Sequence, residues 1–163
     1  MIDGARDVRS ALVIEQVEDA ILAKLKENIG GAVKVEAFPD NPDRYDFANL
    51  PAALLIHSSG SQFSGREGPA NKAQSRRMQF ALFLLCRSLR GQGGAYNHLE
   101  DIRLALQGHA FAGAGPAEIV RDALDDQRDG IWRWQILIAL NIPAVARHGQ
   151  TPVPLMRPAI TSP

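Results

Sequence analysis

The stretch HSSGSQFSGREGPANKAQSRRMQF, residues 57–80, lies between two apolar runs, AALLIH ending at His57 and MQFALFLLC beginning at Met78. Both flanks have the pattern of strands. Leu54–His57 is short and apolar. In RMQFALFLLCR, Met78, Phe80, Leu82, Leu84 and Cys86 alternate with Gln79, Ala81, Phe83 and Leu85, which puts the two sets on opposite faces. Neighbouring strands are usually joined by roughly two to six residues, and longer connections tend to be functional or disordered. The polar segment Ser58–Arg77 is therefore expected to be a long hairpin excursion, with a disordered surface loop as the plain alternative. A strand apolar on both faces is central in its sheet or covered on both sides. A neighbouring subunit is one such cover.

Upstream, Val8 to Ile29 has the spacing of an amphipathic helix. Ile14, Val17, Ile21 and Leu25 share one face, while Glu15, Glu18, Asp19, Lys26 and Glu27 supply the wet side. Gly30-Gly31 is expected to end it through the left-handed conformation that glycine tolerates. VKVEAF, residues 33–38, alternates as a short strand and stops at Pro39, and the turn formers PDNPDRYDFANLP follow. Downstream, Arg90–Gly94 leads into a second helix over Tyr96–Gln107, with Leu99, Ile102 and Leu106 buried and Gly108 as its stop.

EIVRDALDDQRDGIWRWQILIALNIP predicts a hairpin. Its first strand lies near Glu118–Asp125 and its second near Ile131–Ile142, turning at Arg128-Asp129-Gly130. AEIVRDALDDQ also suits a short helix, but the strand is preferred. Trp132, Trp134, Ile136, Ile138 and Leu140 share a face; the two indoles pack in a core or, alternatively, anchor an interface. Residues 147–163 are proline-rich and are expected to form an extended tail, either disordered or an arm lying on a partner.

The chain has 163 residues, 18 basic and 18 acidic side chains and a single cysteine. That is the size of one domain, here 1–146 followed by the tail. Zero formal charge argues against a dedicated nucleic-acid binder. One cysteine excludes an intrachain disulfide and points to a reducing, cytoplasmic setting. No apolar stretch is long enough to span a bilayer, and the N-terminus lacks a signal-peptide pattern.

Motifs of chemistry come close and fail. Gly60 to Gly65 has phosphate-loop glycine spacing, but Arg66 and Glu67 stand where Lys and Ser or Thr are needed. GQGGAY at 91–96 has Tyr96 where a dinucleotide fingerprint needs its third glycine. Asp125, Gln127, Asp129 and Gly130 mimic a calcium loop whose twelfth position is Ile136. His57, His98, His109 and His148 show no ligand spacing, the serine next to His57 points to the opposite face and no G-x-S-x-G elbow frames any serine, and Cys86 alternates with core residues. No enzyme, cofactor or metal site is expected.

The order helix, strand, strand, long hairpin, strand, helix, hairpin implies an α+β fold. It has a small, mostly antiparallel sheet with two helices packed on one face. With IEQVEDAILAKL, LPAALLIH, RRMQFALFLLCR, NHLEDIRLALQG and GIWRWQILIAL in that order, residues 12–146 resemble the tail terminator proteins of tailed phages, in particular the Mu-like group of phages and prophages. The resemblance implies a non-enzymatic ring, usually hexameric. Such a ring caps the tail tube, ends its polymerisation and offers a docking surface to head or neck proteins. It implies self, tube protein and neck protein as partners, DNA only in passage, no membrane, and residence in the host bacterial cytoplasm during assembly and then in the virion tail. A head–tail joining adaptor and a small binding module unrelated to phage are the alternatives.

The hairpin segment from Ser58 to Arg77 carries Arg66, Lys72, Arg76 and Arg77 against Glu67, a net of plus three. In a neutral protein an acidic surface must balance it, and Glu118, Asp122, Asp125, Asp126 and Asp129 are the candidates. A subunit or tube interface is therefore expected to use Arg66, Lys72, Arg76 and Arg77 against Asp125, Asp126 and Asp129. Arginines facing DNA are a second possibility, disfavoured because tight phosphate contacts would hinder passage.

Overall fold

The computed structural model describes residues 4–47, 49–65, 73–111 and 113–145, the side chains of 4–12, Ala73 and Val145 excepted. Helix α1 spans Gly4–Asn28, strand β1 Val33–Ala37, β2 Ala52–Phe63 and β3 Ala73–Cys86. Helix α2 spans Ala95–Leu106, followed by β4 Glu118–Arg128 and β5 Ile131–Val145. The five strands form one sheet in the order β1-β2-β3-β5-β4. Every pair is antiparallel except β1 with β2, and both helices pack on one face. The expected α+β architecture is the one observed.

β3 lies at the centre of the sheet, which explains its two apolar faces. Its even-numbered side chains Met78, Phe80, Leu82, Leu84 and Cys86 are fully buried beneath the helices. They meet Leu54 and Ile56 from β2 and Ile136, Ile138 and Leu140 from β5. From above, α1 contributes Val17, Ile21 and Leu25, and α2 contributes Ile102 and Leu106. At roughly 1.5–3 kcal/mol for each fully buried large apolar side chain, this one layer dominates the favourable side of folding. Trp134 packs against it with its ring edge-on to Tyr96 at 6.1 Å, so the core placement of that indole is the one seen.

Two local expectations are revised, and one strand direction is added to them. β2 and β3 do not stop at His57 and Met78: the polar residues from Ser58 to Phe63 and from Ala73 to Arg77 stay in the ladder, with a bulge between Ser58 and Gly60. Only the tip of the supposed loop is left between them, and 66–72 lie outside the described residues. Backbone pairing holds these strands where no core face does. Helix α1 stops before Gly30-Gly31 as expected, yet neither glycine has positive φ. The exit is closed by Val33 N–H donating to Gly30 O at 3.1 Å and by Asn28 Nδ2 donating to Lys24 O at 2.7 Å. Finally, β1 runs parallel to β2, a geometry that needs a long crossover. That crossover, residues 38–51, folds onto the face of the sheet away from the helices.

Gly94 starts α2 at a point where a β-carbon would lie 2.5 Å from the carbonyl oxygens of Leu89 and Arg90. GQGGAY is thus a tight strand-to-helix turn. The β4–β5 turn uses Asp129 at φ 54 and Gly130 at φ 76, the two positive values of a type I′ hairpin. Ile136, the would-be twelfth calcium-loop position, is a core residue of β5. β4 is an exposed edge strand. Its two bulges and charged side chains hinder unprogrammed pairing.

Candidate assembly surfaces

Register fixes where the predicted interface residues sit. Ala73 of β3 faces Val145 of β5, and Cys86 faces Trp132. The β2–β3 hairpin therefore points from one end of the sheet and the β4–β5 turn from the other. β3 has 14 residues, about 45 Å at ~3.3 Å per residue. Arg76 and Arg77 belong to the first end; Asp125, Asp126 and Asp129 belong to the second. Arg66 and Lys72 lie outside the described residues. One subunit cannot bring its own two groups together.

At the basic end, Ser64 ties the hairpin closed, its N–H donating to Ser75 O and its Oγ accepting from Ser75 N–H, both at 2.8 Å. Arg76 Nε donates to Ser61 Oγ at 3.0 Å, and its guanidinium lies 5.4 Å from the centre of the Phe63 ring. Phe63 itself is 54% exposed, so this aromatic–cation pair stands on the surface. Arg77 Nη1 donates to Glu118 Oε2 at 2.8 Å. Glu118, one of the candidate acids, is thus a partner within the same subunit.

At the acidic end, Asp125 accepts a short hydrogen bond from Arg133 Nε. Asp126 lies 3.9 Å from Arg128 and accepts from the Gln127 N–H at 2.9 Å. Asp129 sits at the turn and has no ion-pair partner among the described residues. Two of these three charges are therefore balanced locally, which the sequence alone did not reveal for Asp125, because Arg133 and Asp125 meet only across the β4–β5 ladder.

The sequence also missed a third surface. On the sheet face away from the helices, His57 stacks on Phe83 at 5.6 Å, and Phe38 sits edge-on to both rings. The crossover covers the neighbouring part of that face with Tyr45 and Phe47. It is pinned there by Arg87, which donates to Leu50 O and Phe47 O at 3.2 and 3.1 Å and stacks over the Phe47 ring. The Tyr45 hydroxyl is pushed up to about 12, by burial first and the adjacent Glu36 carboxylate second.

No catalytic constellation is found on these surfaces among the described residues. Among the described residues no group of three or more His, Cys, Asp or Glu could hold a metal ion. Burial pushes the Cys86 thiol up to about 11, away from nucleophile range. His57 is wedged between phenylalanines with Nδ1 2.8 Å from Ser58 O. Gly60 lies at a β2 bulge and the next described element is β3, so residues 60–63 of the apparent phosphate loop are strand. No described helix is long and apolar enough to cross a membrane.

Residues 21–160 match the family model described as Gp37 protein. The chain belongs to the Gp37 family. No curated protein matches this Gp37 chain. Among solved structures, a protein in the virion of a native gene transfer agent particle superposes on it with a TM-score of 0.53 at 12% identity. The superposition covers 81% of the Gp37 chain and 98% of the other. At that identity the likeness concerns the fold: this Gp37 protein has the fold of a virion component, a small open sheet with two helices on one face.

Proposed function

We propose that this Gp37 protein is a structural component of a phage or prophage tail, acting as the terminator ring that caps the tail tube. The ring has six subunits, stops tube polymerisation and presents a docking surface to head or neck proteins, with DNA passing through its lumen. It assembles in the host bacterial cytoplasm and remains in the virion tail. The observation that carries this reading is the placement of Arg76 and Arg77 at one end of a sheet whose other end carries Asp125, Asp126 and Asp129. Complementary groups at opposite ends of one subunit favour head-to-tail contacts, which close into a ring when the rotation permits. The likeness to a virion protein's fold supports the same assignment.

The test is to add the protein to tail-tube subunits during polymerisation and image the product by electron microscopy. A terminator shortens the tubes and leaves density capping one end of each. Tubes of unchanged length with bare ends would refute the capping role. Binding only to head connectors would move the protein to the head–tail joint.

A further inference from the structure

The crossover and the sheet enclose a groove of about 470 Å³ on the face opposite the helices. Phe38, Tyr45, Phe47 and Phe83 form its walls, and Asp43 stands at its rim. The Tyr45 hydroxyl is buried beside the Glu36 carboxylate. Arg133 also lines it but is committed to Asp125, and Glu36 along the same segment pairs with Lys34 at 3.4 Å, whereas Asp43 has no ion-pair partner among the described residues.

Aromatic walls and a rim carboxylate are the features that bind an extended proline-containing segment next to a basic residue. The chain has one such sequence, TPVPLMRP at 151–158, within a stretch (146–163) that has Arg147 and Arg157 and no acidic residue. Taking the ring reading as given, we infer that Pro152–Pro158 of one copy lies in this groove of the next copy, with Arg157 at Asp43.

Reach favours the neighbour's groove over the chain's own. The described chain ends at Val145, at the basic end. Gln135, which pairs with the groove residue Phe83, lies ten positions back along β5, about 33 Å at ~3.3 Å per residue. Pro152 and Pro154 stand seven and nine positions beyond Val145, about 22 and 28 Å at ~3.1 Å per residue. Both fall short of the groove in their own subunit, and Arg157, twelve positions on at about 37 Å, spans the distance only if no residue is spent on reversing direction. Head-to-tail packing instead brings the groove-bearing end of the next copy to the point where the segment departs.

The experiment mixes two full-length chains, one with Pro42→Cys at the groove and one with Met156→Cys, and oxidises them after native mass has established their assembly. Cys86 is buried and stays silent. A disulfide-linked pair of the two chains, seen by non-reducing electrophoresis, is the expected product. Asp43→Arg on the first chain should lower its yield about fivefold, near the effect of one exposed ion pair, and Arg157→Glu on the second should restore it. An assembled sample that yields no link overturns the inference. So does a doubly substituted chain that links only to itself at high dilution. A sample that stays monomeric at every concentration refutes the ring reading instead.

Discussion

Reversing the two hairpin arginines, Arg76→Glu with Arg77→Glu, separates folding from assembly. In the subunit, Arg77 loses its ion pair with Glu118, whose side chain is 61% exposed. Arg76 loses its Ser61 hydrogen bond and its Phe63 stack. An exposed ion pair contributes about 0–1 kcal/mol and an exposed cation–π contact about 0.5–1 kcal/mol. The summed loss, on the order of 2 kcal/mol, is well below the ~5–15 kcal/mol stability of an ordinary domain and lowers Tm by roughly 4–8 °C. The variant therefore folds. In a ring, each interface loses two attractions to the acidic end of its neighbour and gains two repulsions. At about 1 kcal/mol for each position, the interface weakens by roughly 2 kcal/mol, about thirtyfold in its association constant. Sedimentation velocity across a concentration series reads this as a rise of at least tenfold in the assembly midpoint. Salt supplies an internal check, because screening shortens from about 10 Å at 0.1 M to about 3 Å at 1 M: wild-type assembly should weaken with salt and the variant's should not. Glu118→Gln, which breaks the internal pair but keeps the basic end, should assemble as well as wild type. A folded double variant with an unchanged assembly curve would refute the charge pairing.

Other consequences concern the subunit alone. Gly94→Ala drives a methyl into two backbone carbonyls and should cost more than about 2 kcal/mol, read as a lower urea midpoint; an unchanged midpoint would mean the turn is not as tight as described. Phe80→Ala empties the centre of the core and should cost about 3–5 kcal/mol in the same assay, whereas a loss below 1 kcal/mol would place Phe80 outside it. Burial holds the Cys86 thiol at about 11 against an ordinary value of 9.0, so the folded state keeps a proton that the unfolded state releases first. Stability present below pH 9 should then decline as pH rises toward 11, and Tyr45 acts in the same sense further up. Urea midpoints at pH 8, 10 and 11 test this, and a rise with pH would contradict it. The folded thiol should also resist disulfide reagents at pH 8.

Much of the fold was legible because hydrophobic period reports burial. Ile21 and Leu25 in α1, Ile102 and Leu106 in α2, and the alternation through β3 and β5 all face the core that their spacing implies. Period failed where pairing replaces burial. Ser58–Phe63 and Ala73–Arg77 are strands because β2, β3 and β5 hydrogen-bond through them, not because they bury side chains. The parallel β1–β2 pair was equally hidden, since a turn-rich stretch such as 39–51 does not say which way the chain returns. With it went the aromatic groove, whose Tyr45 and Phe47 belong to that return. The charged residues could be counted in the sequence, but their separation to opposite ends of the sheet, and the local partners Glu118 and Arg133, follow only from register.

Closure into a ring is decided by native mass as a function of protein concentration. A discrete species near six times 17.7 kDa should appear above a threshold concentration and be seen as a ring by electron microscopy. A monomer that persists at every concentration, with or without tail-tube protein, would contradict it.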